Sequence, residues 1–250
     1  MHKLIVCITF SLLFIIPSQG QGLKGLLKKS KDSTQSTSEK SGFNRVTTSK
    51  KELSSETIAD GLKEALQVGI EKGTKKLSSV DGFFRDAAIK ILMPEEAKKV
   101  EQKLRSMGMG KIVDNAILSM NRAAEDASKS AATIFVNAVK QMSIKDAVGI
   151  LGGGDFAATN YLKGITTASL TEAFRPVIEQ SLEKVEATKY WKNLFTTYNR
   201  FSKEKVNTDL VAFVTEKAIA GIFHQVGLEE QKIRKDPVAQ TTDLLKKVFS

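Results

Sequence analysis

The chain has 250 residues, 41% of them hydrophobic, and a formal net charge of +10. One cysteine (Cys7) and two histidines (His2 and His224) exclude a disulfide-stapled scaffold and leave few of the usual ligands for zinc or copper. Stability must therefore come from packing, and the length suffices for one good core or two modest ones.

Residues 1–20 read MHKLIVCITFSLLFIIPSQG. Lys3 supplies a short positive start, an apolar run follows at 4–16, and Pro17 ends it ahead of a small-x-small site. The run is shorter than the ~20 residues needed to span a bilayer. The segment reads as a secretory signal peptide cleaved before Gln21, in preference to an uncleaved anchor. Cys7 lies inside the apolar run, which argues against a lipidation site. Cleavage removes Cys7 and His2, so the mature chain is cysteine-free and keeps only His224.

Residues 21–53 read as a basic, Ser/Thr-rich disordered linker. It opens with the cationic and apolar stretch QGLKGLLKK, and residues 30–50 after it offer only Phe43 and Val46 to bury. More than half of the positive excess left after cleavage sits there, so the rest of the chain is only mildly basic. A focused basic face with stacking aromatics is lacking, and with export this argues against a nucleic-acid partner. An anionic envelope surface suits the linker better.

From residue 54 the pattern is helical. Ile58, Leu62, Leu66, Ile70 and Leu77 form one stripe, Ser54 or Ser55 can cap it, and Gly69 and Gly73 invite a close helix. After a turn at 78–82 and GFFRDAAIKILM, Pro94 with Glu95 and Glu96 opens a helix running to Gly108. The next helix, from Lys111, breaks at 128–130, and another carries Ile134, Phe135, Ala138, Val139 and Met142. Ser143 and Asp146 form a capping box for a short helix ending at Leu151. Thr167 is expected to cap a long helix kinked at Pro176. The stretch from Asn207 to Ile233 is amphipathic again, and Asp236-Pro237 starts a terminal helix. Sustained period-two alternation is absent after residue 53, so the expected fold is all-α, a multi-helix bundle of amphipathic helices over 54–250. LKEALQVGIEK at 62–72 echoes LTEAFRPVIEQ at 170–180, the trace that duplication of a helical unit would leave.

LGGGDFAATNY at 151–161 raises the question of a phosphate loop. A Walker loop needs a preceding strand and a Lys-Ser/Thr pair, whereas here a helix precedes and Asp155 stands where a lysine is wanted. The reading is a hinge: Gly152 just past a helix end, Gly153 and Gly154 in the turn, and Asp155 capping the next helix. The most unusual polar group on an apolar helix is Asn121, Arg122, Glu125 and Asp126, with Arg122–Asp126 and Asn121–Glu125 at i,i+4. It reads first as a surface salt bridge, and as a polar patch near the hinge if its flank is buried. Asn121, Arg122, Glu125 and Asp155 are kept as candidate binding residues.

No catalytic residue, cofactor or metal site is assigned. His224, among apolar residues, reads as partly buried, and without partners it cannot build a Ser–His–Asp triad. Ser181/Lys184 and Ser202/Lys205 match S-x-x-K without its companion motifs. Glu125, Asp126, Asp155 and Glu172 could pair for glycosidic chemistry only at the right separation.

The stretches MPEEAKKVEQKLRSMGMGKIVDNAILSMNRAAEDA, IFVNAVKQMSIKDAVGILGGGDFAATNYLKGIT, EAFRPVIEQSLEKVEATKYW and KIRKDPVAQTTDLLKKVF together resemble the exported bacterial family catalogued as domain of unknown function 4197. The resemblance covers roughly 54–250. It implies an all-helical, envelope-exported bacterial protein, and makes the regions of Asn121–Arg122, Gly153–Asp155 and Tyr161 look like family signatures. Tyr161 joins the candidates on that ground. It implies no activity, ligand or catalytic residue.

The expected function is a non-enzymatic, exported binding or assembly module, periplasmic in location. It would hold a lipid-like ligand or partner helix in an apolar groove or a cleft beside the hinge. The alternatives are a carboxylate- or Ser/Lys-based hydrolase of an envelope polymer, and a tether docking the domain on anionic membrane.

Overall fold

A computed structural model describes residues 54–201, 203, 205, 209–236, 240, 242, 246 and 248. The expected signal peptide (1–20), the linker (21–53), Ser202 and most of the expected terminal helix lie outside them.

Ser54 starts the first helix, α1 (Ser55–Leu77), its hydroxyl accepting the Thr57 N–H at 3.1 Å. Irregular chain follows to Pro94, then one 3₁₀ turn (Glu95–Ala97) and α2 (Lys98–Ser106). Next come α3 (Gly110–Ser128), α4 (Ala131–Gln141) and α5 (Ile144–Leu151). The long α6 (Ala157–Glu183), α7 (Ala187–Phe201) and α8 (Leu210–Lys235) complete the order. No strand occurs among the described residues, and the fold is an all-α multi-helix bundle. No described helix is long and apolar enough to cross a membrane.

The breaks fall where local chemistry puts them. At Ser143 the capping box is complete: its hydroxyl accepts the Asp146 N–H at 3.1 Å, and the Asp146 carboxylate accepts the Ser143 N–H at 3.1 Å. One expectation fails in α6. Thr167 is not a cap, because one unbroken helix runs from Ala157 through Pro176 to Glu183. The hydroxyls of Thr166, Thr167 and Thr171 donate to carbonyls four residues back, so these threonines sit inside the helix without competing for its ladder. Nor does α6 show one straight apolar face. Ala158, Leu162, Thr166, Leu170, Phe174, Ile178 and Leu182 are buried at steps of four. Four residues exceed a 3.6-residue turn, so the stripe winds around the helix and meets α3, α4, α5, α7 and α8 in turn.

At the centre is α8, packed on α6, α1 and α3. Consecutive buried runs such as Gly221-Ile222-Phe223 and Gln225-Val226-Gly227 show that it is enclosed on most faces and not simply amphipathic. His224 corrects the expectation of partial burial, for it is exposed. Gly69 and Gly73 do admit a neighbour. A Cβ at Gly69 would lie 3.2 Å from Ile233 and one at Gly73 3.3 Å from Gln225, both on α8. The echoing positions Leu62/Leu170 and Ile70/Ile178 are all buried, as any two amphipathic helices would place them.

Candidate functional site

The irregular stretch 78–94 crosses the core without forming a helix, burying Phe83, Ile89, Ile91 and Met93. Buried irregular backbone needs polar partners. Here α3 provides them. Asn121, fully buried, accepts the Ile91 N–H at 2.9 Å and donates to the Ile91 carbonyl at 2.8 Å and the Ile117 carbonyl at 2.7 Å. One turn on, Glu125 accepts the N–H groups of Phe83 (3.1 Å) and Phe84 (3.3 Å). Arg122 ties Glu125 to Asp81, at 2.6 Å to each. Those carboxylates, Glu125 foremost, hold the guanidinium more firmly protonated against the opposing effect of burial. Asp81 has a φ of 68°, in the left-handed region, and its carboxylate is held by Arg122 and Arg85.

The sequence-level pairing is thus corrected. Asn121 does not face Glu125 and Arg122 does not pair with Asp126, because the loop supplies better partners from 30 to 42 residues away. Asn121 and Glu125 are buried, while Arg122, Asp126 and the loop's Asp81 are half-buried. Asp126 instead binds Lys129 at 2.8 Å and accepts from Ser181 at 3.1 Å. Its carboxyl is held below the usual range, chiefly by Lys129. A carboxylate so stabilised is a poor base for the Ser181 hydroxyl.

Anchored in this way, the stretch forms one wall of two adjoining cavities. A cleft of about 640 Å³ lies between residues 88–96, Trp191 on α7 and α8, where Phe213, Glu216, Lys217 and His224 line it. A groove of about 420 Å³ lies between α2, α3 and the start of α7. Its walls include Leu104, Ile112, Val113, Leu118, Met120 and Val185, and none of its lining residues is charged. Met93 and Trp191 line both. Trp191 is buried and packs on Phe195 with ring centroids 4.5 Å apart. Beside the groove, Ile112 is 60% exposed and Val185 53%. Asp86, at the foot of the same stretch, is held below the carboxylate range, first by its 3.0 Å bond to Lys76.

The remaining candidates lie elsewhere. Gly152, Gly153 and Gly154 form the turn between α5 and α6, but Gly152 is right-handed (φ −76°) and not a left-handed C′ residue. Gly153 is needed for space, since a Cβ there would come within 2.6 Å of the Ala157 Cβ. Asp155 does not cap α6. Its carboxylate pairs with Lys235 at 3.0 Å, and its carbonyl accepts from Gln231. Tyr161, half-buried, bonds to Asp146. Burial first, and then that carboxylate, push its hydroxyl above the usual tyrosine range. Asp146 is lowered, chiefly by the Ser143 hydroxyl. The void lined by Ala158, Glu230 and Arg234 near this turn measures only about 10 Å³, so it offers no ligand cleft.

Sequence reasoning missed the pair that fastens this turn. Glu230 on α8 accepts the N–H groups of Ala158 (3.0 Å) and Thr159 (2.8 Å), capping α6 across 72 residues. Arg234, paired with Glu230 at 3.0 Å, donates to the Ile150 carbonyl at 2.9 Å and the Leu151 carbonyl at 3.4 Å, capping α5. One i,i+4 ion pair thus sets a negative charge at one helix start and a positive one at the other helix end, each complementing a helix dipole. The sequence shows the pair itself, opposite charges four apart at the charged end of α8 (GLEEQKIRK), but not the distant helix ends that it caps. Trp191 and Met93 carried no comparable signal.

A family model described as "Protein of unknown function (DUF4197)" matches residues 52–250. The chain belongs to this family. The match includes both cavities, the α3 cluster and the fastened glycine turn, while residues 1–51 fall outside it. No curated protein and no solved structure matches the chain.

Proposed function

We propose that this member of the family is an exported, non-enzymatic binding module of the bacterial envelope, holding an apolar ligand in the groove between α2, α3 and α7. The observation that carries the reading is the uncharged groove of about 420 Å³, flanked by exposed Ile112 and Val185. Its size falls within the range of small-molecule sites, about 300–1,000 Å³. Export and a periplasmic location are supported by the leader-like residues 1–20. A hydrolase draws less support, since Glu125, Asp126 and Asp155 are each engaged by a cation.

Native mass spectrometry of protein exported through its own leader and purified without detergent tests the reading. The expected result is a bound mass that disappears on denaturation and is absent from Ile112→Asp, whose circular dichroism and melting stay unchanged. A bare wild-type chain, or an adduct retained by Ile112→Asp, overturns it.

A further inference from the structure

The two adjoining cavities differ in chemistry. The groove contains no ionisable side chain, whereas Lys90, Glu95, Glu96, Glu216, Lys217 and His224 line the cleft. Of these, Glu95 is paired with Lys98 at 2.7 Å. Among the described residues, Lys90 and Lys217 have no carboxylate partner, and Glu96 and Glu216 have no cationic one. The Lys90 ammonium sits 3.9 Å from the Phe84 ring centroid and that of Lys217 5.7 Å from Phe213, which orients both without neutralising them. The cleft thus offers unpaired charges of both signs immediately beyond the Met93–Trp191 wall.

We infer that the ligand is a single-chain amphiphile with a zwitterionic head, its chain in the groove and its head in the cleft, with Met93 and Trp191 flanking the junction. This rests on the groove reading above and adds the head. A purely apolar molecule would leave the cleft unused. A simple carboxylate head would meet Glu96 and Glu216 as well as the two lysines. A head carrying a phosphate and an ammonium can pair with both sets at once. The four charges are largely open to water, so their contribution is modest, roughly a tenfold gain in affinity for two exposed pairs.

Trp191 is the only tryptophan, so its emission reports occupancy directly. The full chain is titrated with lysophosphatidylethanolamine and with a monoacylglycerol of the same chain length, both below their micellar concentrations. Both are expected to shift Trp191 emission, the zwitterion binding roughly tenfold more tightly. The double variant Lys90→Gln/Lys217→Gln should remove most of the zwitterion's advantage over the monoacylglycerol, and Ile112→Asp should abolish both signals. Equal affinity of the two probes, or an advantage untouched by the lysine variant, overturns the head assignment and leaves the groove reading standing. A free fatty acid binding as tightly as the zwitterion also overturns it, in favour of simple anion recognition. Failure of both probes to bind the wild-type chain overturns the groove reading together with the inference.

Discussion

Asn121 illustrates what a single buried amide does in this protein. Its side chain takes the place of a β-ladder or helix rung, satisfying both the N–H and the carbonyl of Ile91 in a stretch with no regular structure. Asn121→Leu removes both partners while keeping a similar volume. The expected loss is about 2–4 kcal/mol, as two buried backbone groups go unpaired, read as a fall in the urea midpoint. Because the same stretch walls both cavities, the variant should also alter Trp191 emission. Glu125 plays the parallel role for Phe83 and Phe84, with Arg122 countering its charge. These side chains, expected as binding candidates, serve in the structure to hold the loop that shapes the cavities.

At the scale of elements, helix ends are where distant residues enter. Three of the first-turn requirements are local: Ser54 on α1, Ser143 on α5 and Asp209 on α8, whose carboxylate accepts the Ala212 N–H at 2.8 Å. The Asp209 carboxyl is lowered below its ordinary value, first by that N–H and then, against the cost of burial, by Arg175. A depressed folded value means its stabilisation is complete above the unfolded pKa, about 3.9, and is lost as pH falls through the folded one. Asp209→Ala should therefore cost about 1 kcal/mol at pH 7, and the gap from wild type should close in acid denaturation series below pH ~3.9. The start of α6 is different, for its donors are met by Glu230 from α8. Glu230→Ala strands Arg234, 13% exposed at its side chain, as well as two helix N–H groups. A loss of about 3–5 kcal/mol is expected, with amide exchange quickening first at Ala158 and Thr159.

At the scale of the bundle, α8 is enclosed between α1, α3, α6 and α7. Its small residues let neighbours approach, and the closest approach is Phe83 to Gly221, where a Cβ would come within 2.5 Å of the ring. Gly221→Ala should cost about 1–3 kcal/mol through forced movement of a fully buried phenylalanine. In a double-mutant cycle, Phe83→Leu should recover part of that loss, so the two changes sum to more than the double variant shows. Movement of Phe83 also displaces the stretch that forms the cavity wall, so altered ligand binding should accompany the loss of stability.

Much of this architecture was legible in the residues alone. The 3.6-residue stripes gave the all-α class, and serines, glycines and Pro94 marked most helix limits, because caps and turns involve groups only a few residues apart. The anchoring of the buried loop and the helix ends that Glu230 and Arg234 cap were not legible, since those partners lie 30 to 84 residues away and periodicity carries no record of them. Nor was the groove legible, for its walls come from α2, α3, the start of α7 and Met93. Hydrophobic pattern and local capping are properties of neighbouring residues and travel with the sequence. Which buried donor meets which acceptor, and where an apolar surface is left uncovered, depends on how helices cross, and only the tertiary structure decided that.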